Sequence, residues 1–161
     1  MADDASWVAE AMRTAVPWVS TAGIEFGEIT TERAVAVLPD RSDQHNHVGG
    51  PHAAVIFGLG ETASGAVGLA AFASAGAVAT PLVVRSEIGY IRLATGDLRA
   101  EAILTRPAGE VLAELEGGTR PEFAVEVAIT DGSGRETTRM TVVWTLRPNR
   151  APQQAAAPAP D

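Results

Sequence analysis

Apolar residues at Trp7, Val8, Ala11 and Met12 fall at helical spacing, which predicts a first helix over roughly 5–15, capped by Asp4 and ended by Pro17. Ile24 and Phe26 point one way across Gly23–Glu28, the alternation of a strand. Thr30-Thr31-Glu32 turns the chain, and Arg33–Leu38 reads as a second strand. Residues 40–50, DRSDQHNHVGG, are polar and glycine-bearing and predict a loop. Pro51 suits the first turn of a helix, where its missing N–H is not needed, and the apolar run carries that helix to about residue 70. Strand patterns follow at Val84–Leu93 and Asp97–Leu104, joined at Thr95-Gly96, then a short helix at Ala108–Leu115. Phe123, Val125, Val127 and Ile129 alternate with polar positions, Asp131-Gly132-Ser133-Gly134 is a hairpin turn, and Met140, Val142, Trp144 and Leu146 alternate on a last strand. This order predicts an α+β fold, an antiparallel sheet wrapped on one long apolar helix.

The chain has 161 residues, a length for one domain, placed here at 1–147. Residues 148–161, PNRAPQQAAAPAPD, lack apolar periodicity and read as a disordered Ala/Pro-rich tail. Residues 53–79 are long enough to span a bilayer, but the run is rich in Ala and Gly and carries Glu61, so a buried helix of a soluble protein is the expectation, with no membrane partner. A net charge of −8 disfavours nucleic acid, which wants a basic face. All 12 basic residues apart from histidine are Arg, a side chain suited to phosphate and carboxylate. With no Cys there is no disulfide, zinc–thiolate site or thiol nucleophile. The first residues, MADDASWVAEAMR, lack the basic start and apolar core of a signal peptide, which predicts a cytoplasmic location.

Between Asp43 and Arg85, Glu61 is the only formally charged residue, and it sits mid-way along the most apolar helix. An unpaired buried carboxylate is costly or has a raised pKa, so it marks a candidate site; an exposed helical stripe is the plainer alternative. All three histidines, His45, His47 and His52, lie in or beside the loop that precedes this helix, with Asn46 among them. Gly49 and Gly50 allow close backbone approach to a ligand, and the helix start offers free N–H groups that can polarise a carbonyl oxygen. Pro51 has no N–H, so Ala53 or Ala54 must be that donor. His45, His47 and His52 could in principle supply metal nitrogens, but no acidic ligand stands at fixed spacing, and no metal is expected. No H-E-x-x-H, Walker loop or G-x-S-x-G occurs. Gly58, Gly60, Gly65 and Gly68 lie inside the helix and predict close approach of another backbone, from a sheet or a partner chain.

The segment Asn46-His47-Val48-Gly49-Gly50-Pro51-His52-Ala53-Ala54, followed by Leu59-Gly60-Glu61-Thr62-Ala63, resembles the signature of hot-dog-fold acyl-CoA thioesterases, and most closely the branch typified by phenylacetate-degradation thioesterases. Members carry Asn, then His-Gly-Gly six residues on, then an acidic residue nine beyond the His; Asn46, His52 and Glu61 keep both spacings. Tyr90-Ile91-Arg92-Leu93-Ala94 is similar to the family's aromatic-x-x-Pro-Ala segment. The resemblance implies a long helix wrapped by a curved sheet, two subunits joined edge to edge, and active sites built by both chains of a homodimer or a dimer of dimers. It implies acyl-CoA as substrate, with coenzyme A part of that substrate and no separate cofactor. By match, Glu61 takes the acidic role as base toward water or as nucleophile, Ala53 the donor position, and Asn46 and His52 help from the partner chain. Ala53-Ala54 replaces the family's Gly-Gly and narrows the space beside the thioester, and Leu93 replaces its Pro. A Ser or Thr from a following strand often assists; Thr80 and Ser86 are the candidates.

Coenzyme A carries phosphates, so one or more of Arg41, Arg85 and Arg92 is expected at the pocket mouth. Two other functions stay open. One is a hot-dog β-hydroxyacyl-thioester dehydratase, whose His precedes its acidic residue by fourteen positions, as His47 precedes Glu61. The other is an acyl-CoA binder without turnover.

Overall fold

The computed structural model describes residues 5–149; Asp4, the expected cap, and residues 150–161 lie outside the described residues. Two helices open the chain, α1 (Trp7–Ala15) and α2 (Pro17–Ala22). Pro17 ends the first helix as expected, but its fixed φ also starts the second, which Gly23 closes in the left-handed conformation at φ 77°. The rest runs β1 (Glu25–Ile29), β2 (Arg33–Leu38), α3 (Ala53–Ala71), β3 (Ala79–Tyr90), β4 (Leu98–Leu104), α4 (Ala108–Glu116), β5 (Glu122–Thr130) and β6 (Glu136–Pro148).

The six strands form one sheet in the order β1-β2-β4-β5-β6-β3, every neighbouring pair antiparallel. The sheet wraps α3, the α+β arrangement expected of a hot-dog fold. By length and composition α3 could cross a bilayer, but eleven of its nineteen residues are buried inside the protein. Leu59, Ala63, Ala66 and Val67 meet inward-facing residues of the sheet such as Ala100, Val125, Ile129 and Val142, all fully buried. Burying such apolar surface contributes about 25 cal/mol per Å², which makes this layer the main source of stability.

Several expectations need correction. Pro51 is not in the first turn: it bridges to His45, and the helix begins at Ala53 with His52 as cap. The reason is the loop itself, since the His52 N–H donates to the Gln44 carbonyl and holds residue 52 extended. The third strand starts at Ala79, not Val84, because pairing with the full length of β6 imposes extended backbone on a stretch of low intrinsic strand preference. β3 and β4, joined through Thr95-Gly96, are not neighbours; β3 lies on the far edge against β6. The last strand also outlasts its expected end. Pro148 pairs with Ala79, and Asn149 donates to the Val78 and Ala77 carbonyls.

The helix glycines approach large side chains rather than backbone. A Cβ on Gly58 would lie 2.2 Å from the Trp18 ring, one on Gly60 2.7 Å from Met140 Sδ, and one on Gly65 3.4 Å from the Trp144 ring.

Candidate functional site

The loop before α3 is held by Asn46. Its Oδ1 accepts from the Val48 N–H (2.9 Å) and the Gly50 N–H (3.4 Å), and its Nδ2 donates to the Pro51 carbonyl (3.3 Å). The side chain is therefore occupied in folding its own loop. Gly49 takes φ 81°, which favours glycine. Gly50 leaves no room for a side chain, since a Cβ there would sit 2.6 Å from the Ala94 carbonyl oxygen.

His52 caps the helix, its Nδ1 accepting from the Ala54 N–H at 3.1 Å. This separates the two donors that the sequence left open. Ala54 N–H is taken, whereas the Ala53 N–H has no hydrogen-bond partner among the described residues. Ala53 lines a cavity of about 450 Å³ together with Asn46, Gly50, Ile56, Tyr90 and Arg92. Tyr90 Oη donates to the Ala53 carbonyl at 3.0 Å and ties the end of β3 to the helix start. The cavity is thus lined by the residue whose unpaired N–H stands at the positive end of a 19-residue helix.

Glu61 lies two turns further on and is half-buried. Its carboxylate has no hydrogen-bond or ion-pair partner among the described residues, and burial pushes its pKa above the ordinary carboxylate value. The sheet meets the helix at Gly60, through Met140, and at Ser64, through Trp144; the N-terminal helices meet it at Gly58, through Trp18, and at Gly65, through Met12. Glu61 thus lies on the helix face between the positions that meet β6 and those that meet α1 and α2. Its backbone is fixed, because Ser64 Oγ donates to the Glu61 carbonyl (2.7 Å) while accepting from Trp144 Nε1 (3.0 Å).

The two hydroxyl candidates separate as well. Thr80 donates to Asn149 Oδ1 at 2.6 Å. Ser86 Oγ is buried without a partner among the described residues. Ser86 pairs with Val142, and directly paired residues share a face, so it faces the helix. It stands between the Ile88–Met140 pair, which meets Gly60, and Trp144, which meets Ser64; that is the level of Glu61.

Of the arginines, Arg41 is committed to Asp43 and to the Thr21 and Ala22 carbonyls, and Arg85 to Glu122 on the outer face. Arg92, at the cavity rim, has no ion-pair partner among the described residues. His45 Nε2 lies 2.8 Å from Asp40, and His47 sits in the turn before Gly49, so the histidines diverge. Among the described residues no three His, Asp or Glu side chains are grouped to hold a metal ion. Ala53, Asn46, Gly50 and Arg92 are thus brought to one cavity; Glu61 stands along the same helix, and Ala54, His52 and Arg85 do not line the cavity.

No curated protein matches the sequence. Among solved structures, a protein of unknown function from Pseudomonas aeruginosa, a probable thioesterase, is 23% identical with a TM-score of 0.79, covering 92% of this chain and 99% of that one. The PaaI protein from the Escherichia coli phenylacetic acid degradation operon is 14% identical with a TM-score of 0.70, covering 87% and 91%. A hypothetical thioesterase protein with coenzyme A from Streptococcus pneumoniae is 17% identical with a TM-score of 0.68, covering 87% and 99%. These likenesses establish a shared hot-dog fold. Sequence supplies the family: residues 5–146 match the one described as Domain of unknown function (DUF4442), and the chain belongs to it as a hot-dog-fold member.

Proposed function

We propose that the protein hydrolyses acyl-CoA thioesters at a site shared between two copies of the chain. The observation that carries this reading is the pairing, on one helix, of an unpaired N–H that opens into a cavity with an unpartnered, half-buried carboxylate. The Ala53 N–H polarises the thioester carbonyl, as oxyanion-hole donors do. Glu61 takes a proton from water, the water oxygen bonds to the carbonyl carbon, the C–S bond breaks, and the proton passes to the departing thiolate. Direct attack by Glu61 gives the same products, through an anhydride that water then opens. Ser86, buried without a partner among the described residues and facing the helix at this level, supports a role in orienting the carboxylate when substrate is bound. Arg92 offers the cavity rim a guanidinium for coenzyme A phosphate. The Streptococcus pneumoniae relative with coenzyme A supports this ligand, and the probable-thioesterase relative supports the reaction.

Ala53 and Glu61 are eight residues apart, about 12 Å along the axis at 1.5 Å per residue. One chain alone brings donor and carboxylate together poorly. The exposed β3 edge, with Val83, Val84 and Tyr90 each more than two-fifths exposed, is where a second copy is expected to pair and complete the site, with His52 or Asn46 of that copy arriving at Glu61. In the folded chain both Asn46 ends are engaged, so His52, whose Nε2 is unengaged among the described residues, is the better placed of the two.

The test is a panel of acyl-CoAs with a thiol reagent that reports free coenzyme A. Release of thiol supports hydrolysis. Hydration of an enoyl-CoA instead selects a dehydratase, and tight binding without turnover selects a binding protein.

A further inference from the structure

We propose that Trp18, seated on Gly58, limits the acyl group to short chains, an inference that rests on the thioesterase reading above. Glu61 shares its helix stripe with Gly58, three residues before it, and Gly65, four after it. Both glycines are covered by indoles. A Cβ at Gly58 would lie 2.2 Å from Trp18 Cη2 and 2.8 Å from Cζ2; one at Gly65 would lie 3.4 Å from Trp144 Cη2 and 3.7 Å from Met12 Cε. The carboxylate thus stands in a slot with an aromatic wall on each side along the helix.

The acyl group of a thioester at Glu61 meets an indole in either direction along α3. Toward the helix start it meets Trp18 at Gly58, three residues or about 4.5 Å away. Toward the helix end it meets Trp144 and Met12 at Gly65, one helical turn beyond Glu61, about 6 Å on. A longer chain must turn aside, and the α1–α2 side is closed by Trp18.

The two indoles are not equivalent as walls. Trp144 is 9% exposed, and its Nε1 donates to Ser64 Oγ at 3.0 Å, so it is fixed. Trp18 is 42% exposed, sits on a six-residue helix, and its Nε1 has no partner among the described residues. Gly58 is required for the seat, because any β-carbon there would occupy the space of the ring. Trp18 is therefore the specificity-determining wall, and its removal opens the slot sideways.

The experiment compares kcat/KM of the wild type, Trp18→Ala and Trp18→Leu on acetyl-, hexanoyl- and palmitoyl-CoA. The wild type is expected to favour the two shorter substrates. Trp18→Ala should raise the palmitoyl-to-hexanoyl ratio at least ~10-fold, the scale of discrimination that apolar pockets achieve. Trp18→Leu keeps apolar cover over Gly58 and carries the same comparison, with a smaller rise, if the alanine variant lacks a cooperative thermal transition. A wild type most active on palmitoyl-CoA, or variants that change all three substrates by the same factor, overturns the assignment of Trp18 alone. A wild type that hydrolyses none of the three overturns the thioesterase reading and this inference with it.

Discussion

The two edges of the sheet are built differently. β1 has five residues, a register break between Phe26 and Ile29, and acidic side chains at Glu25 and Glu28. Arg33 on the neighbouring strand bonds both Glu28 and Glu101, stapling that edge on its outer face. β3 has twelve residues, with Pro81 near its start and a register break between Val83 and Arg85, and it exposes Val83, Val84 and Tyr90. Shortness, a bulge and charge are the usual defences of an edge against pairing with another chain. Both edges carry a break and charged side chains, but β1 is short and stapled by Arg33, whereas β3 is more than twice as long and exposes apolar side chains, which makes it the more open of the two. The contrast makes β3 the edge along which the proposed second copy is expected to pair.

The largest expected effect is on chemistry beside the open edge. Glu61→Gln should retain fold and assembly and lower kcat by at least ~10²-fold, the scale of general base catalysis. Its pH dependence sharpens the point. Burial raises the Glu61 pKa, so the active carboxylate is lost as pH falls through a value above the ordinary carboxylate range, and the acid limb of kcat should lie there. The same shift means that ionised Glu61 destabilises the fold once pH exceeds the unfolded-state pKa, so Glu61→Gln should melt no lower than the wild type at neutral pH. Near wild-type turnover in this variant would make Glu61 a structural residue.

Charging the open edge tests the comparison directly. Val84→Arg should weaken self-association on the order of 10²-fold by burying an unpaired charge, measured by sedimentation, and turnover should then depend on protein concentration. A wild type that sediments as a monomer at micromolar concentration would remove the shared site.

Arg92→Ala should raise KM for acyl-CoA about 10-fold with little change in kcat, the size of a lost charge-assisted hydrogen bond. Arg85→Ala, which only frees Glu122, should leave KM unchanged. Equal effects of the two would remove Arg92 from coenzyme A recognition.

The smallest effect belongs to the defended edge. Glu101 is held at about 2, chiefly by its hydrogen bond to Arg33 and then by that to Arg99. A lowered pKa contributes stability above the unfolded value and loses it as pH falls toward 2. These side chains are about a third exposed, so Arg33→Ala should lower stability by no more than about 1 kcal/mol at neutral pH, without changing assembly or kcat. Thermal melts from neutral to acidic pH check this, the difference between variant and wild type shrinking as the pH drops.

The sequence by itself determined most element types and picked out the candidate residues. Period-2 alternation in β5 and β6 and the apolar run of α3 are local signals that the tertiary fold had only to accept. An isolated charge in an apolar helix and a polar loop before it stand out for the same reason, since burial must reconcile them with a low dielectric. The tertiary structure decided what depends on residues far apart in the chain. It put β3 on the edge and extended it to Ala79 because β6 offered a full ladder. It left Ala53 rather than Ala54 as the free donor because the His52 ring turned onto the latter. It left the Ser86 hydroxyl without a partner among the described residues and engaged that of Thr80 with Asn149. Trp18 showed no signal in its own neighbourhood, because its meaning lies in a glycine forty positions away that leaves room for its ring.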